Sequence, residues 1–155
     1  MSKRLGLIGA GKWGANYIKT IEAMSDVDIS IICTRHGFPV DGYKTTVNIT
    51  DVIDEGVDGV IIATPPENHY QVSLKLLESE IPILLEKPIS TKLLECQNLI
   101  LTAKAGNTVF QVNYTHLYSS AFKLLQEEVK SWGDCPIRII SAGGNAGPYR
   151  NYSSL

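Results

Sequence analysis

The residues best suited to chemistry fall in short clusters, each at the end of an apolar run. Gly9-x-Gly11-x-x-Gly14 follows the run at residues 5–8 and opens a helical pattern, the spacing of a turn that cradles a dinucleotide pyrophosphate. Gly9 permits the tight turn, Gly11 presents no side chain to a pyrophosphate, and Gly14 lets the helix pack closely on a sheet. Lys12 and Trp13 lie inside the turn and are candidate cofactor contacts, although for Trp13 we expect packing in the core. The helix's positive end favours an anion by only about 0.3–1 kcal/mol, so hydrogen bonds must supply most of the binding. The bland alternative is a glycine-rich turn that binds nothing.

A second cluster, Thr34-Arg35, ends the β-branched run at residues 27–33. Thr34 stands twenty residues beyond Gly14, where an NAD-preferring fold places an acid against the ribose 2′-hydroxyl. A hydroxyl followed by a guanidinium suits a 2′-phosphate instead, so NADP is the preferred cofactor and NAD the alternative. The competing reading of Arg35 is a solvated loop arginine.

Two further clusters, Thr64-Pro65-Pro66-Glu67-Asn68-His69 and Glu86-Lys87-Pro88, follow the runs at 58–63 and 81–85. Adjacent prolines sit outside a sheet's hydrogen-bond ladder and mark a rigid loop. Hydride transfer at an alcohol carbon needs a group that takes up or returns the hydroxyl proton, or holds the developing oxyanion. Lys87, on a strand end and fixed by the next proline, can do so; its plain alternative is a surface lysine beside a turn. His69 opens a helix and reads as a loop-ordering residue rather than a catalyst, and His36 as a loop residue.

The segments that carry these clusters alternate strand and helix. Helical spacing joins Trp13, Tyr17, Ile21 and Met24, then Tyr70, Leu74 and Leu77, then Leu93, Cys96, Ile100 and Ala103, the last set capped by Ser90 or Thr91 and ended by Gly106. A short strand at 43–48 and a helical turn at 50–55 come between, and a strand at 109–112 leads into Asn113. This alternation predicts an α/β fold with a doubly wound parallel sheet, a Rossmann fold, over residues 1–118. Gly9, Thr34, Thr64, Glu86 and Asn113 all fall at carboxyl ends of strands, where such sheets bind ligands. Beyond, Phe122, Leu125, Val129 and Trp132 mark an amphipathic helix broken at Gly133-Asp134, and residues 137–141 read as a strand followed by an unordered tail. Residues 119–155 are therefore the start of a second α/β domain.

Composition narrows the partners. The net charge is −2 with no basic run, which points away from nucleic acid and anionic membranes toward a small molecule. Cys33, Cys96 and Cys135 are odd in number and lack ligand spacing, so they read as reduced core thiols and no metal site is expected. The start of the chain lacks a signal-peptide pattern and no apolar run reaches membrane length, which suggests a soluble cytoplasmic protein, and a homo-oligomer is expected.

Taken together, residues 9–14, 63–69 and 86–88 resemble the glucose-fructose oxidoreductase and inositol dehydrogenase (Gfo/Idh/MocA) family, a likeness that covers residues 3–120. It implies a Rossmann domain for NAD or NADP, and a second α/β domain that closes over the nicotinamide and shapes the site for a sugar, nucleotide sugar or cyclitol. It further implies that the Thr64-Pro65 loop lies under the cofactor, that Glu86 approaches the nicotinamide ribose, and that Lys87 enters the reaction site beside an often cis Lys87-Pro88 bond. His116 and Ser120 depart from the family pattern, so no role is carried onto that segment. Family members are much longer, and their second domain contributes a histidine to the proton work. The expectation is thus a cofactor domain that binds nucleotide and turns over substrate poorly by itself, with the strand at 137–141 either pairing with another copy or packed irregularly. The alternatives are a nucleotide-binding regulatory or scaffold protein without turnover, and a small reductase completed across a dimer.

Overall fold

In a computed structural model, residues 2–133 are described. Six strands, β1 (Lys3–Ile8), β2 (Val27–Cys33), β3 (Thr45–Thr46), β4 (Gly59–Ile62), β5 (Ile83–Glu86) and β6 (Phe110–Asn113), form one sheet in the order β3-β2-β1-β4-β5-β6. Every neighbouring pair is parallel. The order reverses between β1 and β4, which creates the crevice where doubly wound sheets take ligands. The expected fold class is therefore the one observed.

Among the described residues, five α-helices connect or follow the strands: α1 (Lys12–Glu22), α2 (Ile49–Asp54), α3 (His69–Glu78), α4 (Leu93–Ala105) and α5 (Ser120–Ser131). Strand side chains alternate between two cores, as their period of two requires. Ile8, Val60, Ile62, Ile83 and Leu85 pack with Val52 of α2, with Val72, Leu76 and Leu77 of α3, and with Leu99 and Ala103 of α4. Leu7, Ile32 and Ile61 pack on the other face with Ile21, Tyr17 and Ile18 of α1. All four residues of β4 are buried, as a central parallel strand demands.

Some local expectations shift. In α1, Ile21 is buried and Tyr17 half-buried, but Trp13 is about half exposed, as is Met24 just past the helix end, so Trp13 does not pack in the core. In α4 the buried side chains are Leu99, at 0% exposure, and Ala103 of the expected stripe, whereas Leu93 is 72% exposed and Ile100 also faces outward. Leucines and isoleucines occur around much of that helix, so spacing alone finds Ala103 and half-buried Cys96 but misses Leu99 and includes the exposed Leu93 and Ile100. Its N-cap is Lys92 rather than Ser90 or Thr91. The Ser90 hydroxyl instead accepts from the Lys92 amide at 3.1 Å and donates to the Glu95 carboxylate. Cys33 is a buried free thiol, raised above its usual range by burial and by Asp51, and Cys96 is a half-buried one.

Contacts divide the chain into Met1–Thr115 and His116–Leu155. In the second unit the Ser119 hydroxyl caps α5 by accepting from the Phe122 amide at 3.1 Å. No α5 residue is buried within the described structure. The strand expected at 137–141, the tail after it and Cys135 lie outside the described residues. Among the described residues no helix is long and apolar enough to cross a membrane.

Candidate nucleotide site

The carboxyl ends of the strands are tied into one row by hydrogen bonds between chain segments far apart in sequence. At its centre the Gly9 amide donates to the Cys33 carbonyl at 2.9 Å, and the Ala63 amide donates to the Ile8 carbonyl at 2.8 Å. Gly9 has φ +99°, and a Cβ there would sit 2.7 Å from the Ala63 carbonyl oxygen, so only glycine lets β1 turn this close to β4. Gly14 is required by contact: a Cβ would come within 2.0 Å of the Gly9 carbonyl oxygen. Gly11 differs from both. Its φ is −71°, and a Cβ would meet nothing within 4 Å, so nothing in the protein demands a glycine at that point. The space above Gly11 is open, α1 has no side-chain N-cap, and its first turn carries no acid. That combination fits an anionic group approaching the helix end.

Along the row from Gly9, His69 joins two loops. Its ring is 1% exposed, with Nε2 2.9 Å from the Thr64 carbonyl oxygen and Nδ1 2.6 Å from the Pro88 carbonyl oxygen. A sealed ring with both nitrogens facing carbonyls orders loops and meets no substrate. The Lys87-Pro88 peptide is cis. Lys87 itself is exposed and makes no ion pair among the described residues, as is true of Lys12 and Arg35.

Glu86, 8% exposed, anchors the far end. Its Oε1 accepts from the Tyr17 hydroxyl at 2.7 Å and from the Asn113 amide nitrogen at 2.7 Å, and that same nitrogen also donates to the Tyr17 oxygen at 2.7 Å. Three elements, α1, β5 and β6, thereby meet at one carboxylate oxygen. Burial first, then the hydrogen bond and charge of Glu86, raise the Tyr17 hydroxyl far above its ordinary range, so it stays a neutral donor. Sequence reading placed Asn113 at the sheet edge and Tyr17 in the core without linking either to Glu86.

The remaining candidates are less accessible than their residue types suggest. Thr34 is 8% exposed; its amide donates to the Thr46 carbonyl at 2.8 Å, and its hydroxyl is buried without a partner, as is that of Thr64. Pro65 is exposed beside it. Arg35 leads an exposed loop in which the rings of His36 and Phe38 meet edge to face at 5.7 Å. Among the described residues no group of three His, Cys, Asp or Glu side chains could hold a metal ion.

A parallel sheet with its order reversed at a glycine turn, and with an open helix end above it, defines a dinucleotide-binding Rossmann domain. Residues 3–114 match the model of the Gfo/Idh/MocA oxidoreductase family, described as its NAD-binding Rossmann fold, and the chain belongs to that family. It is 30% identical over 134 residues to the rhizopine catabolism protein MocA of Rhizobium meliloti, covering 83% of this chain and 42% of that protein. The structure is similar to that of myo-inositol 2-dehydrogenase from Lactobacillus plantarum, with a TM-score of 0.72 and 20% identity over 84% of this chain and 42% of that one. It is equally similar to the WlbA dehydrogenase of Bordetella pertussis, solved with NADH and UDP-GlcNAcA, at a TM-score of 0.74 and 17% identity over 84% and 40% of the two chains. The chain thus spans about two fifths of the length of these relatives.

Proposed function

We propose that the protein is a nicotinamide-dependent dehydrogenase or reductase acting on a hydroxyl or keto carbon of a sugar, nucleotide sugar or cyclitol, and that this chain holds its cofactor. The observation that carries the reading is Gly11: a glycine that no protein contact requires, above an uncapped helix end, at the crevice of the sheet. The unpartnered hydroxyls of Thr34 and Thr64 along the same edge agree with a polar group lying across it. The names of the relatives, inositol and nucleotide-sugar dehydrogenases, support the substrate class.

A bound nicotinamide nucleotide supplies the hydride acceptor or donor. The amides of residues 11–14 hold the pyrophosphate, with Lys12 adding charge and Trp13 an exposed ring at its edge. Thr64 and Pro65 form the floor, and Glu86 offers its unengaged oxygen to the nicotinamide ribose. Lys87, exposed and without an ion pair, takes the proton of the substrate hydroxyl or holds the oxyanion, work worth about 10²–10⁴-fold in rate. Arg35, also without an ion pair, carries a preference for the 2′-phosphate of NADP, and the hydroxyl of Thr34 before it has no partner in the described structure. Fluorescence titration with NADPH and NADH tests the reading: both bind, NADPH more tightly, and failure of both to bind refutes it. Lys87→Met keeps that binding and removes turnover.

A further inference from the structure

The Glu86 site carries a charge that nothing described in the structure balances. The carboxylate is more than nine-tenths buried, and its two donors, the Tyr17 hydroxyl and the Asn113 amide, are neutral groups. No Lys, Arg or His pairs with it among the described residues. Neighbouring Lys87 is exposed and makes no ion pair with it, whereas the Glu86 carboxylate is fixed in place by its two donors. A buried carboxylate met only by neutral donors, with one oxygen left unengaged, is poised for a cation or a hydroxyl arriving from outside. The oxidised nicotinamide ring is a cation; the reduced ring is neutral.

We propose that Glu86, held by Tyr17 and Asn113, makes this chain discriminate the oxidation state of its cofactor, favouring the oxidised nicotinamide over the reduced one. The inference rests on the proposed function, which sets the nicotinamide end beside Glu86. Its physical content is narrower: a fixed negative charge acts on a ring whose charge changes by one unit with oxidation, while the rest of the dinucleotide is the same in both states.

The test compares dissociation constants of NAD+, NADH and ADP-ribose for the wild-type chain and for Glu86→Gln, which keeps the side chain's shape and one acceptor oxygen. The wild-type chain binds NAD+ at least as tightly as NADH. Glu86→Gln weakens NAD+ about tenfold more than NADH, a difference of about 1.4 kcal/mol, and weakens ADP-ribose, which keeps the ribose but lacks the ring, no more than NADH. Equal weakening of NAD+ and NADH, or no change in either, overturns the inference and leaves the cofactor reading standing. Tighter binding of NADH than NAD+ by the wild-type chain also overturns it, with no need for the variant to fold. If the wild-type chain binds none of the three, the proposed function and this inference fall together.

Discussion

Gly11 and Gly14 are three residues apart in one turn, yet their substitution by alanine separates binding from folding. At Gly14 the new Cβ would lie 2.0 Å from the Gly9 carbonyl oxygen and 2.9 Å from its carbon, both backbone atoms of the turn itself. Relief requires α1 to move off the sheet, and overpacking of this kind costs about 1–3 kcal/mol or more. At Gly11 the Cβ meets no protein atom within 4 Å, and φ −71° is open to any residue. Alanine is a poorer N-cap than glycine by about 1 kcal/mol or less. That is offset by about 0.4–1 kcal/mol because alanine restricts the unfolded chain. Gly11→Ala should therefore stay within about 0.5 kcal/mol of wild type in urea denaturation, while its methyl stands in the path of the pyrophosphate and weakens NADH tenfold or more. Gly14→Ala should show a clear loss in the denaturation midpoint. Wild-type NADH affinity in a folded Gly11→Ala would refute the placement of the phosphates, and an unperturbed Gly14→Ala would refute the packing argument.

Three other outcomes follow from the geometry. Arg35→Asp should reverse the preference between NADPH and NADH in fluorescence titration; an unchanged ratio removes Arg35 from the 2′ site. Leu99→Ala, at a fully buried position, should cost about 2–5 kcal/mol, against about 0.5 kcal/mol or less for exposed Leu93→Ala, both read from denaturation midpoints. Because the folded chain holds the Tyr17 proton more tightly than the unfolded chain, its contribution is full below about pH 10 and is lost as pH rises beyond. Absorbance at 295 nm should show one tyrosine in the wild-type chain, absent from Tyr17→Phe, that ionises only with unfolding.

Where structure depends on local pattern, it was legible in the residues. The glycine turn, the two Pro-containing loops and the apolar runs before them each obey a short-range rule, and the parallel sheet follows from their alternation. Long-range pairing was not legible. Tyr17 reaches Glu86 across 69 positions and Asn113 across 96, and no periodicity relates residues so distant. A tyrosine at helical spacing looks the same whether its hydroxyl is idle or holds a carboxylate. The α4 stripe was only half right, for a different reason. Leu93, Leu94 and Leu101 are exposed apolar residues on a helix whose inner face is also apolar, so hydrophobicity does not distinguish the two sides. β3 shrinks to two residues because only Thr45 and Thr46 pair with β2, opposite Ile32 and Cys33.

The bond between Asn113 and Tyr17 bears on how the molecule is made. A nascent chain emerging from the ribosome has its glycine turn early, but that turn's helix gains its anchor on Glu86 and β6 only after residue 113 has cleared the exit tunnel. Closing a loop of that length carries an entropic penalty that grows with the logarithm of the span. Until then Glu86 would be an acid without the neighbours that keep it sheltered, and a polypeptide stalled before β6 would have its glycine turn in place with the helix behind it still untethered.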